Sequence, residues 1–429
     1  MTMSRNQLPW YVDFFGSEDY RSIYESRLND DASTHEAKFI QHVLDLKRGD
    51  KVLDLVCGHG RHAIPLAKNG INVTGLDLNA EYLDQAQRSA KAAGVSIETV
   101  HSDMRQIPYT NEFDAVINET DRLLFELANI PDNYKILYVH GGAQMQFSAV
   151  PMNLIARNPE KKAAYVESGN FAKLAIKEAI RYGKISVVAS SETSNYDRIP
   201  ELEMAEVDPK SSYLYITSNN TIYGTRWQQF PSTDNIPLVA DMTSEFLSRE
   251  LDISQFGIIF AGLQKNLGPA GLALVIIRED LLDYALPETP NLLTYRTYAE
   301  KHSLSNTNNT FAIYMMKLVL EWLKDHGGVT ALELQNETKA ALIYDAIDTS
   351  SFYLGTAEVI YRSTMNVTFN LAENNLLDKF LSQAHAQGLY ALKGHRNVGG
   401  VRASIYNAMP AAGCQALVDF MKEFEKNHA

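Results

Sequence analysis

Cysteine is nearly absent: Cys57 and Cys414 are the only two in 429 residues. They lie far apart and without metal-ligand spacing, so neither a disulfide framework nor a zinc site has anything to build on. A reducing, cytoplasmic setting is expected. Positive charge is also scarce, with 39 Lys and Arg against 52 Asp and Glu, a formal net charge of −13 and no basic run. Nucleic acid and acidic membrane are therefore excluded as partners, because neutralising phosphates needs a basic patch. No window approaches the roughly 20 apolar residues of a membrane span, and the opening MTMSRNQLPWYVDFFG has no continuous apolar core behind its arginine. Repeats and low-complexity segments are missing too. What remains is a globular composition, 45% hydrophobic, sufficient for roughly two to three domains that bind small molecules.

Residues 1 to 118 read as an α/β pattern. Ser33 to Glu36 forms a capping box ahead of a helix whose apolar face is Phe39, Ile40, Val43 and Leu44. KVLDLVCGHGRHAIPLAKNG then gives a strand, a glycine turn and a helix closed by Gly70. INVTGLDLN gives a second strand, followed by a helix over Ala80 to Ala93 and strands at Ile97 to Val100 and Phe113 to Asn118. Gly58 and Gly60 let backbone approach a ligand closely, and Asp77 at the next strand end suits the hydroxyls of a ribose. With Asp54 in the first strand and Ser102-Asp103-Met104 after the third, the segment resembles class I S-adenosylmethionine-dependent methyltransferases. By that resemblance Asp54, Gly58 and Gly60 face the methionine part of the cofactor, Asp77 the ribose, and Asp103 with Met104 the adenine. The pattern stops at FDAVIN, after the fourth strand, and the family's later strands do not follow. Residual S-adenosylmethionine affinity without methyl transfer is the expectation.

A fresh pattern begins at Glu119. ETDRLLFELANIPDNYKILYVHGGAQMQF reads helix, turn, strand, glycine turn, helix. Four features of this part converge on one amine. Lys265 stands in FAGLQKNLGPAGLALVII between small residues and a buried strand, where a lowered dielectric favours the neutral form. Asp241 closes an apolar strand. Gly141 and Gly142 open a helix whose free N–H groups suit a phosphate, and Thr221 ends another strand. A lysine to bind a carbonyl covalently, an acid beside a ring nitrogen and a phosphate cup are the requirements of pyridoxal phosphate chemistry.

The segments NIPDNY, GGAQMQF, PMNL, ITSNNTIYGT, ADMTSEFLSR, AGLQKNLGPAG, FAIYM, GHRNVGG and RASIYNAMP, in that order, resemble phosphoserine aminotransferases. The resemblance implies a fold-type I, class-V enzyme with a large α/β domain and a small α+β C-terminal domain, preceded by the truncated Rossmann-like fragment. The expected divisions are 1–118, 119–325 and 326–429. It implies exchange of an amino group between glutamate and 3-phosphohydroxypyruvate, yielding phosphoserine and 2-oxoglutarate for serine biosynthesis, with pyridoxine synthesis as a second use in some members. Lys265 is similar to the Schiff-base lysine and Asp241 to the pyridinium partner. Thr221 is similar to the residue meeting the ring oxygen, and Ala143, Gln144 and Gln264 to phosphate-cup positions. Phe171 replaces the usual stacking tryptophan. Asn306 and Thr307 match a pair contributed by the partner of a homodimer. Asn308 and Asn309 stand where prolines are common, which predicts a less rigid loop. Arg402 resembles the α-carboxylate clamp, a role suited to a planar fork, and His395 with Arg396 the pair that reads the substrate's phosphate or second carboxylate.

Two family segments are not found: the asparagine-phenylalanine and glycine-proline stretch, and a serine-histidine-arginine motif that binds substrate. Arg61-His62 is in reversed order and belongs to the glycine turn. The chain thus resembles two truncated enzymes joined head to tail, with impaired turnover expected. Two further readings stand beside it, a methyltransferase and a non-catalytic fusion product.

Overall fold

The computed structural model describes residues 30–44, 46–102, 110–396 and 398–428. The chain divides into two compact units, Met1–Asn111 and Glu112–Ala429.

In the first unit, α1 (Asp30–Val43), β1 (Lys51–Leu55), α2 (Ala63–Lys68), β2 (Asn72–Asp77), α3 (Ala80–Ala92) and β3 (Glu98–His101) follow one another. The strands pair in parallel in the order β1-β2-β3. Crossover helices place Ala63, Leu66, Ala86 and Ala90 against Val73 and Ile97. Asn79 caps α3 by accepting from the N–H groups of Glu81 and Tyr82. Helix α1 starts ahead of Ser33, so that residue is buried within the helix instead of capping it. Its buried face runs through Ser33 and Ala37 at a spacing of four, which turns Phe39 outward to 65% exposure and leaves Leu44 exposed as well. The side chain of Val43 lies outside the described residues, as do Asp103 and Met104.

The expected fourth strand is helical. Phe113 to Asn118 forms part of α4 (Thr110–Ala128), in which the buried Ile117, Thr120, Leu124 and Ala128 recur every three to four residues. Asn118 therefore sits inside a continuous helix, and among the described residues the parallel sheet of the first unit has three strands.

In the second unit α4 leads to β4 (Tyr134–His140), α5 (Gly142–Leu154), β5 (Lys162–Glu167), α6 (Asn170–Ala179) and β6 (Lys184–Ser190). Then come β7 (Leu214–Thr217), the short pair β8 (Asn219–Asn220) and β9 (Thr225–Arg226), β10 (Leu238–Asp241), β11 (Ile258–Gly262) and β12 (Leu272–Arg278). Seven strands make one sheet in the order β4-β12-β11-β10-β7-β5-β6. Only β12 runs against its neighbours. Strands β7, β10 and β11 are buried throughout, the mark of a parallel sheet covered on both faces. One cover includes Leu124, Phe246 and Ile313, the other Phe147, Leu154 and Tyr295.

Helices α7 (Tyr295–Glu300), α8 (Thr310–Asp325) and α9 (Gly328–Asp348) carry the chain onward to β13 (Tyr353–Gly355), β14 (Asn366–Leu371), α10 (Leu377–Ala386), β15 (Val401–Ser404) and α11 (Ala411–His428). Strands β13, β14 and β15 form an antiparallel sheet. Phe369, Phe380, Phe420 and Phe424 fill its core beneath the helices. Between α8 and α9, Gly327 takes φ 92°, a left-handed turn that a side chain would strain.

Candidate active site

Open α/β sheets present ligand-binding residues at the carboxyl ends of their strands, and β7, β10 and β11 end at Thr217, Asp241 and Gly262. The turn between β11 and β12 is anchored by buried Leu263 and Leu267. The N–H groups of Leu267 and Gly268 both donate to the Leu263 carbonyl, at 3.0 and 2.8 Å. That anchoring directs Lys265 to the strand ends. Its Nζ donates to Thr221 Oγ1 at 2.5 Å and lies 5.4 Å from the Phe171 ring centroid. Burial lowers the amine to about 8; Asp241 opposes that shift and Arg402 adds to it. Near neutral pH a usable fraction is the uncharged nucleophile.

Asp241 is 5% exposed. Its Oδ1 accepts from the N–H of Thr243 at 3.0 Å and from Thr243 Oγ1 at 2.6 Å. Its Oδ2 takes no hydrogen bond among the described residues. Burial raises the carboxyl above its ordinary value, while the Thr243 bonds and the nearby Lys265 ammonium pull it back. The Thr243 hydroxyl in turn accepts from the N–H of Gly262 at 3.1 Å, joining the ends of β10 and β11.

At the head of α5, Gly141 and Gly142 have φ of 91° and 67°, and Gly141 donates to the Gly271 carbonyl at 3.1 Å. First-turn N–H groups have no partner within a helix. Ala143 is buried there and Gln144 exposed. Gln264 is exposed too, with its amide so close to Gly262 that a Cβ at that glycine would clash. Asn306 Oδ1 is buried without a partner, and Thr307 is exposed.

The neighbouring asparagines, where a less rigid loop is expected, are held by side-chain hydrogen bonds. Asn308 Nδ2 donates to the carbonyls of Tyr138 and Ser303 at 3.0 and 3.1 Å. Asn309 Oδ1 caps α8 by accepting from the N–H of Ala312 at 3.1 Å. Hydrogen bonds thus fasten a segment that prolines elsewhere would stiffen.

From the small sheet, β15 brings Arg402 toward Lys265, close enough to help depress the lysine's pKa. Arg402 Nε is buried without a partner. The same arginine acts on His395, whose imidazole is lowered first by burial, then by Arg396 and Arg402. Arg396 is exposed. Sequence reasoning missed Tyr406, a few residues beyond Arg402. Asn366 Nδ2 donates to its hydroxyl at 3.2 Å, and burial raises the phenol against the pull of Asn366, Ser404, Arg402 and Thr221. It missed Thr243 as well. The run Asp241-Met242-Thr243 after a strand carries the signal, since a hydroxyl two residues beyond an aspartate commonly closes a local turn.

The first unit presents a different picture. Asp54 Oδ2 is buried without a partner, and burial raises its carboxyl. Both oxygens of buried Asp77 are used locally: Oδ2 accepts from the N–H of Gly58 at 2.9 Å and Oδ1 from that of Asn79 at 2.8 Å. Gly58 and Gly60 take φ of 55° and 86°. Arg61 and His62 both pair with Glu36.

The aminotransferase class-V family profile matches residues 71–417, so the chain belongs to that family. The match begins within the first unit. The phosphoserine aminotransferase of Nitrosomonas europaea is 52% identical over 326 residues, spanning 74% of this chain and 88% of that protein. That of Lysinibacillus sphaericus is 47% identical over 355 residues, spanning 82% and 96%. A solved phosphoserine aminotransferase from Bacillus circulans subsp. alkalophilus superimposes with a TM-score of 0.72 at 42% identity, covering 82% of this chain and 96% of that one. A pyridoxal phosphate-bound one from Trichomonas vaginalis gives 0.69 at 35% identity over 72% and 88%. Within the class, the chain belongs to the phosphoserine aminotransferase family.

Proposed function

We propose that the second unit is a phosphoserine transaminase, exchanging the amino group of glutamate with the keto group of 3-phosphohydroxypyruvate. The observation that carries this reading is the convergence of Lys265, Thr221, Phe171 and Asp241, with Arg402 approaching from the small sheet. The residues fit pyridoxal phosphate: an amine lowered to about 8, an aromatic face, a buried carboxylate with one oxygen unbonded, and a helix amino terminus opened by two glycines. When bound, the cofactor supplies an electron sink for the substrate's α-carbon. Lys265 would anchor it covalently and then hold or return the proton at Nζ. Asp241 would keep the ring nitrogen protonated, Thr221 would orient a ring oxygen, and Phe171 would lie against the ring with less area than a tryptophan offers. Ala143, Gln144, Gln264, Asn306 and Thr307 would hold the phosphate. Arg402 would clamp the substrate carboxylate, and His395 with Arg396 its distal anion. Purified protein mixed with pyridoxal phosphate, glutamate and 3-phosphohydroxypyruvate should form 2-oxoglutarate. No product above background, with the cofactor demonstrably bound, would overturn the reading.

The same proposal includes a homodimer, because Asn306 and Thr307 stand in the family positions that serve the neighbouring subunit; sedimentation of the holoenzyme tests it. It also includes a cytoplasmic setting, consistent with two buried, unpaired cysteines and with no helix among the described residues long and apolar enough to cross a membrane. We place the junction between units at the head of α4, and the division between large and small domains at the end of α8.

For the first unit we propose a methyltransferase-like fragment, favoured by parallel β1-β2-β3 and by the buried Asp54 Oδ2, which has no hydrogen-bond partner. Because Asp77 already bonds Gly58 and Asn79, weak S-adenosylmethionine binding at most is expected. Calorimetry on the full chain tests it, and tight binding would contradict it.

A further inference from the structure

The assignment of a cofactor-facing carboxylate leaves open what fixes its rotamer. Asp241 ends β10, where a side chain has no following strand residue to brace it. Its Oδ1 is gripped twice by Thr243, through the backbone N–H at 3.0 Å and the hydroxyl at 2.6 Å. The hydroxyl can donate only one proton, which goes to the carboxylate, so its lone pairs remain free to accept. One of them takes the N–H of Gly262 at 3.1 Å. Gly262 is the last residue of β11 and opens the turn that carries Lys265. It also pairs with Ala273 of β12, so its position is set by the sheet.

The geometry points to Thr243 as the positioning residue for the site, bridging the acid on β10 to the lysine-bearing turn on β11 through one hydroxyl. The inference rests on the transaminase reading above. Three consequences come from that single group. Oδ1 is occupied, so Oδ2 is the oxygen offered to the ring nitrogen. The ionised form of a buried acid gains a charge-assisted bond, which holds the carboxyl below where burial alone would put it. The separation of Asp241 from the turn is fixed before any ligand arrives. Thr243 touches none of the reacting atoms in this account, and the bridge uses its hydroxyl and backbone N–H, so serine should substitute for it.

The test compares wild type with Thr243→Ser, Thr243→Val and Thr243→Ala as full chains. Pyridoxal phosphate affinity is measured by the visible absorbance that the bound cofactor acquires, followed by the pH dependence of kcat/KM. A charge-assisted hydrogen bond is worth roughly one to two powers of ten in a binding constant. Thr243→Val and Thr243→Ala should therefore weaken cofactor binding by about tenfold or more and move the acid limb of the pH profile upward, while Thr243→Ser keeps both. Two hydroxyl-free variants of different bulk are used so that misfolding of one leaves the comparison standing. Wild-type affinity and an unmoved acid limb in either folded hydroxyl-free variant would overturn the inference while leaving the transaminase reading intact. Failure of wild type itself to acquire the band would overturn both.

Discussion

Lys265 and Thr221 meet nitrogen to oxygen at 2.5 Å, although 44 residues separate them in the chain. The contact joins the turn after β11 to the segment after β8, and it gives the amine a fixed direction before any cofactor binds. Removing the hydroxyl should cost affinity more than fold, because Thr221 lies at the strand ends and contributes little apolar surface. Thr221→Val should weaken pyridoxal phosphate binding by about one power of ten, the usual worth of a hydrogen bond to a charged group. A titration of the visible band checks it.

The amine's acidity gives a second prediction. Folding lowers Lys265 from 10.5 to about 8, with burial the main cause and Arg402 a contributor. A depressed lysine disfavours the folded state when protonated, so its stability contribution is fully present above about 10.5, is lost as pH falls toward about 8, and changes little below. The same shift governs reactivity. The rate at which apo-protein captures pyridoxal phosphate should rise with pH to a midpoint near 8, and Arg402→Gln should move that midpoint upward. A midpoint near that of free lysine in wild type would refute the burial argument.

Arg402 supplies a third. Its Nε is buried without a partner, which suits an incoming carboxylate. Arg402→Lys keeps the charge but loses the bidentate fork, and the KM for glutamate should rise by about tenfold to a hundredfold. Steady-state kinetics of the substituted enzyme measure this. The thermal midpoint of the apo-protein should change little.

A fourth concerns the loop before α8. Asn308 satisfies two buried carbonyls, those of Tyr138 and Ser303. Asn308→Ala leaves both unpaired and should destabilise the second unit by about 1–3 kcal/mol. Urea unfolding followed by tryptophan fluorescence reads the loss. Hydrogen exchange at the loop should accelerate in the same variant.

Lys265, Asp241 and the Gly141-Gly142 turn are legible in the sequence because each has a local signature: an ammonium among small residues, an acid closing an apolar run, glycines before a helix. Those same punctuation marks show where strands and helices begin and end along the chain, not how the strands are ordered in the sheet. Thr243 and Tyr406 are not legible in that way, since their roles depend on which strand lies beside which, a matter of the completed sheet. FDAVIN misleads for a simpler reason. A six-residue segment with four apolar residues fits both periods, and only the continuation through Thr120, Leu124 and Ala128 shows the helical one. Ser33 misleads similarly, because α1 begins before its capping signature. The asparagines at 308 and 309 read as a loss of rigidity when compared with proline, a comparison that does not show their side-chain hydrogen bonds, because those depend on the folded surroundings.

The central claim is that Lys265 is the covalent anchor of a transaminase site. Mixing the purified chain with pyridoxal phosphate and recording its visible spectrum, then repeating with Lys265→Ala, tests it most directly. The account predicts a new absorbance band in wild type that glutamate discharges as 2-oxoglutarate appears, and neither change in Lys265→Ala. A spectrum of wild type identical to that of Lys265→Ala, or full turnover by the substituted protein, would contradict it.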